Sequence, residues 1–542
     1  MGLATELGIV MIHIYFAIVH TIFVIINYFV KKRSVPAPFD DIVMLSATDA
    51  VKKIRRRELR PTQLVEAYIH RIDQVNPLIN AAVVTLFDEA RETAKKYDEQ
   101  LDELSDDALN DLLRRRPLFG VPFSCKDSIE INGQIVTTGS YYRRNHRCTK
   151  TGLAVQRMQD AGGILIAITN VPELCAWIET TNTVYGRTRN PYDLRRIVGG
   201  SSGGEGALLS AAGTPVGVGS DVGGSIRIPS FVNGIFGMIP TPGIIPIDGH
   251  APEPSGYKRQ MLREGPMCRY VEDIPLLYQI MAGERFTEVH MDEHVDFKKC
   301  RVFYMLGIRH PLVEPLGDVM KETLLKGVSH FESTFGLEGI GLDLPLTIYE
   351  PEFYSASSEG NLELSRKALS FEGDAGRLNV WKELPKVLTG QSHHTAAVLL
   401  ITFMESLHKN SNEESNEKYI RIRDRLKRQI VETLGNNGIL FFPSWSKPAP
   451  FHREPLFAVL NTAYTALFNA LALPVVQCPM GLDKNGIPLG VQIVAAPGCD
   501  RLLIAAANEI NAAFGGWRPA WEQPEQPAEK KLAEPQSNYS LL

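Results

Sequence analysis

The chain has 542 residues, 44% of them hydrophobic and 22% charged, with a formal net charge of −5. These values describe a globular protein with a sizeable core and exclude a nucleic-acid binder, which would carry a basic stripe. Seven scattered cysteines, Cys125, Cys148, Cys175, Cys268, Cys300, Cys478 and Cys499, form no C-x-x-C pair. Neither a metal site nor a disulfide framework is therefore expected, and they read as reduced, small apolar residues.

From Leu7 to Val30 the chain is apolar and carries no charge, with His13, His20 and Asn27 as mild polar interruptions. A bilayer core needs roughly 20 apolar residues of helix, so the segment predicts a transmembrane anchor over 7–30. It follows Glu6 and ends in Lys31-Lys32-Arg33, without the basic start and small-residue cleavage site of a signal peptide. That basic cluster on the C-terminal side places the globular domain in the cytosol by the positive-inside rule. Residues 31–45, with Val35-Pro36-Ala37-Pro38, read as a linker and 46–521 as one globular domain. The tail 522–542, rich in Pro, Glu, Gln and Lys, reads as disordered.

Ser46 is placed to cap a helix. After Pro61-Thr62, apolar Leu64, Ala67, Tyr68, Ile72 and Val75 recur at helical spacing. The basic run Lys52 to Arg60 reads as a solvated helix face, and one charged helix is predicted around Glu89 to Leu112. LAVQRMQDA reads as helix and GGILIAITN as a buried strand; this alternation, met again near Gly234 to Pro240, predicts an α/β architecture around a buried sheet. A helix-rich insertion is expected from Glu284 to Ile430, containing the apolar run Thr395 to Leu407. Segments around Phe441, Val475 and Val491 read as strands returning to the sheet.

The densest pattern is IVGGSSGGEGALLSAAGTPVGVGSDVGGSIRIP, Ile197 to Pro229. Two clusters, Gly199-Gly200-Ser201-Ser202-Gly203-Gly204 and Gly223-Gly224-Ser225, flank a buried-helix pattern from Gly206 to Gly213 and an apolar run from Pro215 to Gly219. Glycine beside serine lets backbone N–H groups approach a small reacting group. Flexible linkers share the Gly/Ser composition, but they do not enclose ALLSAAG or end in Ile-Arg-Ile-Pro.

These motifs, with GVPFSCKDS at Gly120 to Ser128, resemble the amidase signature family. Glu173-Leu174-Cys175-Ala176-Trp177, Val184 to Pro191 and Gly265 to Tyr270 match further, so the resemblance covers about Leu59 to Gly516. It implies a large twisted mixed β-sheet wrapped by helices and a Ser–cis-Ser–Lys triad: Ser225 as nucleophile, Ser201 as bridge and Lys126 as base. Backbone N–H groups of Val222, Gly223, Gly224 and Ser225 would form the oxyanion hole. Ser202 would fix its loop, Asp221 and Arg227 would pair beneath the nucleophile, and Cys175 would line either the acyl pocket or the core. Together with the anchor, the resemblance implies hydrolysis of lipid (fatty-acid) amides drawn from the membrane, with no cofactor; homo-oligomers stay open. Ile239 departs from the pattern, standing where many members carry lysine.

The chemistry needs these residue types. A serine hydroxyl is a weak nucleophile until a base takes its proton, and neither cluster holds a histidine. Lysine serves only when neutral, a state that burial among Val121, Pro122, Phe123 and Ile129 would favour. Each oxyanion donor contributes about 3–4 kcal/mol in mutational precedent. Two other readings remain at this point. Gly199-Gly200-Ser201-Ser202-Gly203 also fits the G-x-S-x-G elbow of Ser-His-Asp α/β-hydrolases. A non-catalytic, membrane-tethered binding protein on the same fold is the other.

Overall fold

The computed structural model describes residues 3–308, 310, 312–343, 380–407 and 413–522. The predicted tail from residue 523 onward and residues 344–379 and 408–412 of the predicted insertion lie outside them. In chain order the first strands are β1 (Ala82–Thr85), β2 (Pro122–Lys126) and β3 (Ile164–Thr169), followed by a small hairpin of β4 (Thr181–Asn182) and β5 (Gly186–Arg187). Next come β6 (Val216–Asp221), β7 (Phe236–Ile239), β8 (Arg263–Cys268), β9 (Arg301–Tyr304) and β10 (Gly339–Gly341). The last are β11 (Gly438–Phe442), β12 (Val475–Leu482) and β13 (Pro488–Val494).

All but the hairpin join one mixed sheet of eleven strands in the order β1-β3-β2-β6-β8-β7-β12-β13-β11-β9-β10. β2, β3 and β6 are buried along their whole length, as parallel strands covered on both faces must be. β2 runs parallel to both β3 and β6, so their carboxyl ends share one rim of the sheet. β8 returns antiparallel to β6, pairing Glu264 with Ser220. In α/β sheets that rim is where ligands are met.

The helix Pro61–Ile79 buries Leu64, Ala67, Tyr68, Ile72 and Val75, the face its spacing predicts. Ser46 Oγ accepts the Asp49 N–H and caps Ala47–Arg55. The charged stretch around 89–112 is two helices, Phe87–Glu103 and Asp106–Arg115, because Ser105 accepts the Ala108 N–H and starts a new one. The middle of the chain is less of an insertion than expected. Its β9 pairs parallel to both β11 and β10 and carries the sheet to its far edge. Strands of three or four residues leave little periodicity to read.

The helix at the N-terminus runs Leu3–Tyr28, and its segment Met11–Tyr28 (mean hydropathy 1.8) is long and apolar enough to cross a membrane. One flank leans on the body: Phe16 is buried, Tyr15 donates to the Phe457 carbonyl (3.2 Å), and His20 Nδ1 lies 2.8 Å from Glu454 Oε1. The other flank exposes Met11, Ile14, Ile18, Ile22 and Ile25. Residues 31–45, read as a linker, are anchored to the body at particular points although most of residues 31–42 are exposed. Val35 is buried and donates to Pro191 (3.0 Å), and Arg33 accepts the Leu194 N–H (2.9 Å).

Candidate active site

Lys126 closes β2, and its amine-bearing stem is folded inward with 1% of the residue exposed. Nζ lies 2.7 Å from Ser201 Oγ, 2.9 Å from Ser220 Oγ and 3.0 Å from the Ser220 carbonyl. Burial lowers its pKa from the ordinary lysine value, against the pull of neighbouring acids. Which acids are charged decides how strong that pull is. Burial raises Glu264 well above the carboxylate range, and neither of its oxygens has a hydrogen-bond partner. Burial likewise pushes Glu205 up to about 8, although Ser124 (2.7 Å) and Thr169 (2.8 Å) donate to it. Burial thus favours the neutral acid form in both. The charged one, Asp221, is neutralised by Arg227. A neutral lysine is consistent with these surroundings.

Ser201 and Ser202 precede the helix Gly203–Ser210, and the Gly200–Ser201 peptide is cis. Gly200 has no room for a side chain, since a Cβ there would meet the Trp177 carbonyl at 2.4 Å. The two clusters are tied together by the Ser202 N–H, which donates to the Ser225 carbonyl (3.1 Å). Ser202 Oγ in turn donates to the Ser220 carbonyl (3.2 Å), so this serine binds both strand β6 and the loop of Ser225. Residues 193–200 ahead of Ser201 form turns and loop with one isolated bridge, Arg196 to Phe451, not the strand that a G-x-S-x-G elbow requires.

Below the loop, Asp221 and Arg227 are fully buried and paired through two contacts of 3.1 Å. Burial alone would raise the Asp221 pKa; Arg227 and the N–H groups of Ile226 and Gly224 hold it below the usual carboxylate range. Arg227 also donates to Thr465 O (2.9 Å) and Gln492 Oε1 (3.0 Å). Asn469 Nδ2 donates to Asp221 Oδ1 (2.9 Å). This network corrects one expectation. The Gly224 N–H donates inward to Asp221 Oδ1 at 2.7 Å, so it does not point at the reacting centre. Gly224 adopts φ +128°, and a Cβ there would strike Thr465 Oγ1, so the loop admits only glycine. Val222, Gly223 and Ser225 complete the loop above it, and Ser225 is 9% exposed.

Cys175 stands at the end of a short turn, Glu173–Cys175, with its thiol beside Lys126 and Ser201. Burial raises its pKa, which keeps it a thiol. Its neighbour Leu174 packs against Val398 of the helix Ala396–Leu407. Glu173 fixes that helix by accepting from Thr395 N (2.7 Å) and pairing with His394 (2.7 Å). All seven cysteines are free, five of them buried.

Two groups escaped sequence reading. Glu205 stands in the GGSSGGE cluster, and only the fold reveals that it locks the Gly203–Ser210 helix to β2 and β3. His250 lies in the loop Gly249-His250-Ala251-Pro252, with Nε2 2.9 Å from Ser220 Oγ. No motif or spacing links it to Lys126.

The raised pKa of Glu205 has a measurable consequence. A carboxyl whose folded pKa is raised contributes full stability below its unfolded value and loses it as pH rises through the folded one. For Glu205 that window runs from about 4.5 to about 8. Glu205→Gln should therefore lessen the decline in urea stability between pH 5 and 8, by on the order of a few kcal/mol. An unchanged pH slope in the variant would show that Glu205 is ionised in the native protein.

Residues 63–504 match the family described as Amidase. Fatty-acid amide hydrolase 2 of Homo sapiens is 37% identical over 492 residues, covering 89% of this chain and 91% of that protein. Fatty-acid amide hydrolase 2-A of Danio rerio is 38% identical over 492 residues, with coverage of 89% and 91%. The solved structure of a fatty acid amide hydrolase superposes with a TM-score of 0.70 at 22% identity, over 88% of this chain and 86% of that one, a likeness of fold. A family match through almost the whole globular body, joined to relatives of this identity and coverage, establishes that the chain belongs to the Amidase family of amide-hydrolysing enzymes.

Proposed function

We propose that this enzyme is a membrane-anchored serine amidase that hydrolyses fatty-acid amides to a free fatty acid and an amine. The observation that carries the reading is the fully enclosed Lys126 with Nζ 2.7 Å from Ser201 Oγ, in a loop tied directly to Ser225. Neutral Lys126 takes the Ser201 proton as Ser201 takes that of Ser225. The Ser225 oxygen then attacks the amide carbon. The same relay runs backward to protonate the departing nitrogen, leaving an acyl-enzyme that water hydrolyses by a second use of the base. The N–H groups of Val222, Gly223 and Ser225 serve the oxyanion, with Gly224 committed to Asp221.

The fatty-acid substrate is supported by the names of the related hydrolases and by the apolar contact of Leu174 with Val398 next to Cys175. The membrane reading is supported by the apolar helix and by a groove at its foot. There Lys31, Arg33, Arg189 and Arg453 sit beside apolar Phe23 and Leu456, the composition expected at a headgroup layer. A hydrolysis screen of amides varying in acyl length and amine tests the substrate. Turnover rising with chain length supports the reading, and preference for short or charged acyl groups would overturn it. Deleting residues 1–30 should release much of the enzyme from membranes while preserving turnover of a soluble amide. A truncated enzyme that partitions like the full chain would sink the anchor.

A further inference from the structure

His250 is the one imidazole among the described residues that reaches the lysine's hydrogen-bond partners, and the relay proposed above gives it no task. We propose that His250 is a positioning residue that, acting through Ser220, aims the lone pair of Lys126 at Ser201. The proposal rests on the triad reading above.

The argument is one of donors and acceptors. His250 Nδ1 lies 3.0 Å from the Pro252 carbonyl, which can only accept, so Nδ1 carries the ring proton and Nε2 is the acceptor. Nε2 is 2.9 Å from Ser220 Oγ, with Ser128 Oγ further away at 3.4 Å. The Ser220 hydroxyl therefore gives its single proton to His250, and its oxygen faces Lys126 as an acceptor. A neutral lysine amine has two N–H bonds and one lone pair. One N–H goes to the Ser220 carbonyl at 3.0 Å, and the other to Ser220 Oγ at 2.9 Å. The remaining direction holds the lone pair, and what stands there is Ser201 Oγ, at 2.7 Å. Without the imidazole, the Ser220 hydroxyl is free to turn and donate to Nζ, occupying the lone pair that Ser201 needs.

The surroundings keep this arrangement in one state. Burial, then the nearby lysine, pushes the His250 pKa down to about 3, so the ring stays neutral wherever Lys126 acts as a base. The loop is held by the Ile129–His250 bridge and by the Ala251 N–H, which donates to Ser128 O at 2.7 Å. Lys126, Ser201, Ser220 and His250 are all buried, where the orientation of a base matters most.

The test uses the full chain and a soluble acyl anilide. His250→Leu should lower kcat about tenfold with KM unchanged, the effect of losing one orienting hydrogen bond. His250→Gln, with an amide oxygen near the Nε2 position, should retain most of the activity. Ser220→Ala should match His250→Leu, and adding His250→Leu to Ser220→Ala should cost nothing more, because the histidine acts only through that hydroxyl. Wild-type kcat in His250→Leu, a Gln variant as poor as Leu, or losses that multiply in the double variant would each overturn the proposal. If His250→Leu fails to fold by circular dichroism, His250→Asn, too short to reach Ser220, takes its place with the same expectations. Lys126→Ala separates the two levels. Full activity there overturns the triad reading itself, whereas an inactive Lys126→Ala beside an unaffected His250→Leu overturns only the role of His250.

Discussion

Ser225→Ala is expected to abolish amide turnover, by at least about 10⁴-fold, and to end covalent labelling by a fluorophosphonate. The fold should survive, because Ser225 contributes to the loop through its backbone: its carbonyl accepts the Ser202 N–H, and Asp221 organises the residues on either side. An unchanged melting temperature would document that. Ser201→Ala should slow labelling without removing the target, since it deletes the relay and leaves the nucleophile. The reverse pattern, labelling lost in Ser201→Ala and kept in Ser225→Ala, would make Ser201 the nucleophile and return the elbow reading to contention. A chain that never reacts with the probe, yet folds, would be the tethered binding protein.

Lys126→Ala should separate amides from esters. An amine must be protonated as it departs, whereas an alkoxide leaves with less help. In the proposed mechanism Lys126 is base in the attack and acid in the departure, each role contributing about 10²–10⁴-fold. Ester hydrolysis loses chiefly the first role and should fall about 10²-fold; amide hydrolysis loses both and should fall about 10⁴-fold. The measurement is a matched amide and ester of one acid, compared in the native enzyme and the variant. Equal losses would restrict Lys126 to activating Ser225. No loss on either substrate would make the lysine structural.

The pH dependence follows from the same site. If, as proposed, the working base is the neutral lysine, activity should rise with pH as Lys126 deprotonates and then level off. Because burial lowers its pKa, the plateau should arrive at lower pH than the range where an exposed lysine titrates.

Much of this molecule is determined by local sequence. The helix Pro61–Ile79 follows from apolar residues at fixed spacing, and β3 from a continuous apolar run, because burial on one stripe or on both faces leaves a period in the chain. The clusters around Ser201 and Ser225 are legible because close backbone approach demands glycine: at Gly200 and Gly224 a Cβ would strike neighbouring atoms. Other features were decided only by tertiary structure. Whether 89–112 is one helix or two turned on a single cap at Ser105. β9 and β10 are strands because their neighbours in the sheet complete their hydrogen bonds, not because three or four residues can signal it. The Gly224 N–H turns inward because Asp221 lies beneath it, a contact that motif matching does not contain. His250 comes from a loop of no marked composition and reaches Ser220 only because the rim of the sheet brings that loop over the end of β6. A residue type's chemistry is written in the chain, but the partner that sets its proton, its charge and its direction is supplied by the fold.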